Sequence, residues 1–133
     1  QQLAAFKDYT TICNSAPSEF LSIVALGERN QTVARNLSII HANLELLDLF
    51  FAQHSDVFIW ERPRSCSTAF PRLRDGISAE TFCIEAVQKQ GVLLLPSVHY
   101  HYGDSHFRIG YGRKNMPQAL EQFEEYLATY KPY

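Results

Sequence analysis

Tyr102-Gly103-Asp104-Ser105-His106-Phe107-Arg108-Ile109-Gly110-Tyr111-Gly112-Arg113 is the stretch on which the fold turns. Phe107 and Ile109 alternate with Arg108 and Gly110, the period of two that puts successive side chains on opposite faces of a strand. A strand over 107–110 is predicted, with one apolar face and one face carrying a charge. Gly110 and Gly112 mark a tight strand-to-helix turn. Asn115 is placed to cap the helix that follows, with Leu120, Phe123 and Leu127 inward and Pro132 ending it. An arginine among apolar strand residues is rarely buried without a partner. Arg108 is then either a charge on a solvent face or a guanidinium awaiting a carboxylate, whose two oxygens match its fork. Pattern alone leaves these two readings equal.

Upstream, Pro96 to Ser105 reads as a loop rich in Tyr and His, and Val92 to Leu95 as a buried strand. Before it comes a helix capped by Ser78, lined by Ala79, Phe82, Cys83, Ala86 and Val87, and stopped by Gly91. Thr68-Ala69-Phe70 reads as a strand halted by Pro71, and Val57 to Trp60 as another. The short gap between them, with a turn around Pro63, predicts an antiparallel hairpin.

The strongest element lies further upstream. Val33, Leu37, Ile40, Leu44, Leu47 and Phe51 recur at steps of three and four, and Ile39, Leu46 and Phe50 widen the stripe. With Asn30 as cap, this predicts a helix of about 24 residues, roughly 36 Å long at 1.5 Å per residue. Such a helix packs on two bodies or joins two lobes. Ser18 to Leu26, with Pro17 ahead and Gly27 behind, reads as a short apolar helix, and Gln1 to Lys7 as the tail of another. The fold class is α+β, a small, mostly antiparallel sheet of about four strands packed with helices and preceded by a long interdomain-type helix.

Composition sets the outer bounds. The chain has 133 residues, 46% hydrophobic and 20% charged, with a net charge of -2. That suits one domain with a real core and excludes disorder or a globally basic nucleic-acid binder. No apolar run approaches the ~20 residues of a membrane helix. Cys13, Cys66 and Cys83 are odd in number and lack a C-x-x-C pair. Reduced thiols in a cytoplasmic protein are the expectation. The chain opens on Gln1, in mid-pattern and without methionine, which predicts a piece of a longer protein.

Other clusters are weaker. His99, His101 and His106 surround Tyr100, Tyr102 and Asp104, yet no Cys or Glu completes a zinc set at familiar spacing, so a polar loop is favoured over a metal site. Asp104 and His106 resemble an acid–base pair without a nucleophile at recognisable spacing. Gly110 to Asn115 precedes a helix and suits a phosphate, but a tight turn explains the glycines equally well. Cys83 sits on an apolar face as inert packing.

Several runs together resemble class I/II aminotransferases that depend on pyridoxal phosphate (PLP), the fold-type-I family. They are Lys7-Asp8-Tyr9-Thr10-Thr11-Ile12-Cys13-Asn14-Ser15-Ala16-Pro17-Ser18-Glu19, the long helix with Val33-Ala34-Arg35-Asn36, and Trp60 to Leu73 with Ser67-Thr68-Ala69-Phe70-Pro71-Arg72-Leu73. Most specific is Tyr102 to Arg113. The resemblance covers essentially the whole chain and only the small C-terminal domain of the family.

It implies that Arg108, in the R-I-G strand, binds the α-carboxylate of an amino-acid substrate. Asn14 and Ser15 fall in a segment near the family's dimer interface and cofactor. Ser65, Cys66 and Ser67 occupy a turn where relatives often have glycine, and Pro96-Ser97 stands where they often have Pro-Gly. Both loops face the substrate side in the family, so substrate preference does not transfer. None of Lys7, Lys89, Lys114 or Lys131 has the setting of the family's cofactor lysine. No catalytic residue and no metal ligand is expected in this chain, and no cofactor on it alone.

The resemblance divides the chain into 1–29, a remnant linking to a large cofactor domain, and 30–133, the small domain. The full-length protein is then a homodimeric aminotransferase holding PLP and acting on amino acids and 2-oxo acids, with no nucleic-acid or membrane partner. A stand-alone carboxylate-binding module is the alternative, or a PLP lyase or acyl-transferring synthase on the same fold. Cut from its neighbours, the long helix and the segment before it are expected to expose an apolar face.

Overall fold

The computed structural model describes residues 2–11, 13 and 15–130. Asn14 and Pro132 lie outside the described residues. Two compact units divide the chain, one up to Arg35 and one from Asn36 onward.

The first unit contains α1 (Gln2–Thr10) and α2 (Ala16–Gly27), with Pro17 in the first turn of α2. Neither helix has a buried residue. α3 (Arg29–Gln53) begins one residue ahead of Asn30. Asn30 is thus inside the helix rather than its cap. Only Glu28 separates α2 from α3, and its carbonyl already accepts the Thr32 N–H at 3.0 Å.

The second unit holds the core. On α3, Leu44, Leu47, Phe50 and Phe51 are buried, whereas Val33 and Leu37 are each 47% exposed. Periodicity identified the face; it carried no information on how far along the helix that face is covered. Then follow β1 (Phe58–Ile59), β2 (Thr68–Ala69), β3 (Arg72–Leu73), α4 (Ala79–Gln90), β4 (Leu95–Pro96), β5 (Phe107–Gly110) and α5 (Met116–Thr129). This is the α+β class with small antiparallel sheets that the sequence predicts.

The predicted hairpin is wrong. β1 pairs with β3, Phe58 opposite Leu73, while β2 pairs with β5, Ala69 opposite Ile109. The order of the larger sheet is β2-β5-β4. Pro71 causes the exchange of partners. It lacks an N–H for any ladder, while its carbonyl accepts from Phe107 N at 3.1 Å. Past it the chain bridges Arg72 to His106 and turns to β1.

β4 also sits later than expected. Val92 and Leu94 are buried, but Leu93 is 82% exposed, and the ladder forms at Leu95 and Pro96. β5 occupies 107–110 as predicted, with Phe107 and Ile109 buried and Arg108 and Gly110 exposed. Phe107 meets Phe82 of α4 at 5.9 Å and Phe123 of α5 at 6.3 Å, and Phe58 lies 5.8 Å from each of Phe82, Phe107 and Phe123. Edge-to-face and offset rings at these separations add to simple area burial.

The ends of α4 behave as read. Ser78 Oγ accepts from Thr81 N at 3.2 Å, and Gly91 closes the helix at φ 69, a left-handed value natural to glycine. Ala79, Phe82, Cys83 and Ala86 are buried, but Val87 is 40% exposed. Asn115 precedes α5 without a side-chain cap, and two Tyr/Met positions that the sequence reading passed over, Met116 and Tyr126, join Leu120 and Phe123 in the core.

Candidate functional site

The site begins with the alternation on β5. Because Phe107 and Ile109 are committed to the core, Arg108 must emerge on the opposite face of the sheet. β5 is the central strand, so Arg108 is flanked on both sides. Leu95 of β4 is its direct partner, and Phe70 follows Ala69 at the end of β2. Arg108 lines a cleft of about 560 Å³ together with Pro63, Thr68, Phe70, Tyr100 and Tyr102. Its guanidinium carbon lies 5.9 Å from the centre of the Tyr100 ring, within cation–π range. Among the described residues no acidic one lines the cleft, and Arg108 has no ion-pair partner.

The loop between β4 and β5 delivers the two tyrosines. It opens with a single 3-10 turn over Ser97–Tyr100. Buried Ser97 organises it: its Oγ donates to Gly103 O at 2.8 Å and accepts from His106 N at 3.2 Å, while its N–H donates to His106 O at 2.8 Å. Tyr102 N returns to Ser97 O at 3.2 Å. His106 stacks on Phe70 at 5.1 Å and 13°, and Phe70 meets Tyr100 edge-on at 5.9 Å and Tyr102 at 5.7 Å. Burial, and secondarily the Arg72 cation, push the His106 pKa below its ordinary value, with Glu61 opposing.

A second clamp fixes the far end of β5. Asn43, buried on α3, donates from Nδ2 to Tyr111 O at 2.8 Å and to Arg113 O at 2.7 Å. Tyr111 N donates to Ser67 O at 2.8 Å, and its hydroxyl donates to Cys66 O at 3.1 Å. A Cβ on Gly112 would lie 3.2 Å from Ser67 Cβ, so the two loops approach as closely as glycine allows. The Gly110–Asn115 turn is therefore tied by its carbonyls and by close packing, the plain structural role weighed against phosphate binding.

The other candidates separate cleanly. Ser65 and Cys66 line a neighbouring cavity of about 640 Å³ with Arg62, Arg64, His41 and Tyr111, rather than the Arg108 cleft. Ser67 lies between them and Thr68, engaged with Tyr111 and Gly112. Ser15 precedes α2 in the first unit without a side-chain capping bond. Asp104 is no acid–base partner of His106. Its carboxylate accepts from Glu80 N at 2.7 Å and its carbonyl from Ala79 N at 3.2 Å, completing the α4 N-terminus beside Ser78. His106 Nδ1 instead pairs with Ser105 Oγ at 2.9 Å. Among the described residues no group of His, Cys, Asp or Glu could hold a metal ion. Cys83 is buried, and that burial, aided by Asp104, pushes its thiol up to about 12, well outside the reactive range.

The sequence reading passed over Asn43 and the convergence of Phe70, Tyr100 and Tyr102 on Arg108, and it named Ser97 only as a departure from the family's Pro-Gly, not as the residue that organises the loop. Asn43 had a signal: it lies three residues after Ile40 and four before Leu47, on the apolar stripe, where a polar side chain needs a partner. Phe70 had one as well, as the exposed-phase neighbour of Ala69.

No family model matches the chain, and no curated protein sequence does. Solved structures do. A PLP-dependent aminotransferase from Streptococcus suis is similar over 98% of this chain and 35% of its own, at 26% identity and a TM-score of 0.85. The PLP-dependent cyclase OrfR is similar over 94% of this chain and 35% of its own, at 22% identity and 0.83. An aspartate aminotransferase from Thermotoga maritima is similar over 93% and 32%, at 15% identity and 0.75. The chain thus spans about a third of the length of the proteins it resembles. Among the described residues, no helix is long and apolar enough to cross a membrane. Structural neighbours matched over most of this chain are fold-type-I PLP-dependent aminotransferases, and the match is consistent with a C-terminal domain of that fold.

Proposed function

We propose that this chain is the small C-terminal domain of a PLP-dependent aminotransferase, and that Arg108 binds the α-carboxylate of its amino-acid or 2-oxo-acid substrate. The carrying observation is a guanidinium on the central strand that, among the described residues, has no ion-pair partner and faces a cleft without an acidic residue. A planar fork suits two carboxylate oxygens. Holding both fixes rotation about the bond to Cα, which orients the Cα–H bond for proton removal.

In this reading residues 1–29 link to the cofactor domain, 30–133 form the small domain, and the full-length protein is a cytoplasmic homodimer. On the resemblance alone, Asn14, Ser15, Ser65, Cys66 and Ser67 remain weak candidates for positions near the active site of the full-length protein, without a part in its chemistry. Bound PLP supplies the electron sink for bond cleavage at Cα. The described residues of this chain do not fit that group unaided. No described lysine lines the Arg108 cleft, Lys89 is bonded to Glu85 at 2.6 Å, and Lys131 lies outside the described residues. The reading therefore assigns the cofactor's anchor to another part of the full-length protein and makes the chain alone inactive.

Two measurements test this. Arg108→Lys in the full-length protein keeps the charge and loses the fork, and is expected to raise KM roughly 10- to 100-fold; an unchanged KM sinks the role. The 133-residue chain, mixed with PLP and dialysed, is expected to keep no visible absorbance band. A lysine-dependent band that survives dialysis overturns the assignment. The likeness to a cyclase makes reaction type a separate question. Amino-acid-dependent conversion of the cofactor to its pyridoxamine form marks transamination; its absence in an otherwise active full-length protein favours cyclase, lyase or synthase chemistry.

A further inference from the structure

We propose that the Arg108 cleft selects carboxylates bearing an aromatic or bulky apolar side chain, and that Phe70, Tyr100 and Tyr102 set this preference. The inference deepens the proposed function and rests on Arg108 as the carboxylate ligand.

Three observations carry it. First, among the described residues Arg108 is the one charged residue lining the cleft, and apart from Thr68 and the tyrosine hydroxyls the lining is apolar. A ligand's single carboxylate is matched there, whereas a second one would meet apolar walls without a counter-charge, which is unfavourable. Second, the rings are arranged to receive another ring. Phe70 stands edge-on to Tyr100 at 86° and tilted to Tyr102 at 60°, which makes an open aromatic corner at the surface, presenting both ring faces and ring edges. Tyr100 and Tyr102 remain 43% and 61% exposed, large rings held at the surface beside a cation. Aromatic side chains left open around a cleft with a convergent polar group are the makeup of a small-molecule site.

Third, the corner is pre-organised. His106 covers Phe70 at 5.1 Å, and the bonds of buried Ser97 fix the loop that carries both tyrosines. A ligand that fills it has little left to order, which is where affinity is otherwise lost.

The test uses the 133-residue chain labelled with ¹⁵N. The Arg108 Nε–H signal is followed during titration with 3-phenylpropionate, succinate and acetate at matched ionic strength. 3-Phenylpropionate is expected to bind at least about tenfold more tightly than acetate, about 1.4 kcal/mol, with succinate no better than acetate. Tyr102→Ala is expected to cut that ratio to about threefold or less with acetate unchanged, while Tyr100→Phe keeps it. In Arg108→Gln, which has no guanidinium signal, the titrations are followed at the Tyr102 and Ile109 backbone amides, which are expected to shift with ligand in the parent chain and to respond to none of the three in the variant. If acetate and 3-phenylpropionate shift Arg108 with equal affinity, or succinate binds best, the side-chain preference is overturned and the carboxylate role stands. If no carboxylate shifts Arg108, or 3-phenylpropionate still binds after Arg108→Gln, both readings fall.

Discussion

At Cys66 the backbone adopts φ 80, a left-handed value that a residue with a Cβ occupies only under strain. The Tyr111 hydroxyl bond to Cys66 O and the Ser67–Tyr111 bond hold it there. Glycine removes the strain but loosens the unfolded chain. Cys66→Gly is expected to raise stability by roughly 0.5–1 kcal/mol, the left-handed strain relieved less the entropy of the freer unfolded chain, read by urea denaturation. Cys66→Ala keeps the Cβ and serves as control; an equal gain from it would remove strain as the cause. His106 gives a second residue-scale expectation. Its pKa in the fold lies below the ordinary 6.5 because burial disfavours the charged ring. As pH falls through 6.5 the unfolded chain takes up the proton first. The contribution is therefore full above that pH and is lost as pH falls through the lower, folded-state value. His106→Gln should flatten that part of the stability–pH curve, and an unaltered slope would show that other groups govern it.

Asn43 links two elements by a single side chain. Replacing it with alanine leaves the Tyr111 and Arg113 carbonyls without their donor beside the core. Asn43→Ala is expected to cost about 2 kcal/mol, and hydrogen exchange at Tyr111 should accelerate with it. Loss of stability without faster exchange there would contradict the clamp. The elements also show what was legible. β5 and α4 followed from local rules alone: a period of two, a serine at one end, a glycine at the other. β1, β2 and β3 did not, because strands of two residues carry almost no periodicity and their partners lie far along the chain. Thr68 opposite Gly110 is a choice made by Pro71 and the approach of Gly112 to Ser67, neither visible in a short window. Arg108 could be placed on a strand face from its neighbours. Phe70 could be read as exposed beside Ala69, but its meeting with Tyr100 could not be foreseen, since that requires β2, β5 and the 97–106 loop to be assembled.

For the molecule as a whole, the buried core begins at Asn43, while Leu3, Phe6, Phe20, Leu21, Ile23 and Leu26 are all at least 65% exposed. Apolar side chains of that number left in water favour association. Light scattering should show an apparent mass that rises with concentration, and Phe20→Ser with Leu21→Ser should lower it; a clean monomer throughout would contradict this. Beneath that surface the alternation on β5 separates two kinds of constraint. Phe107 and Ile109 answer to folding, and Arg108 answers to what the cleft meets. Tyr100 and Tyr102 are exposed and contribute nothing to the core. Their identities can drift across descendants of this sequence without touching the strand beneath, so a lineage can change its diet while inheriting its skeleton intact.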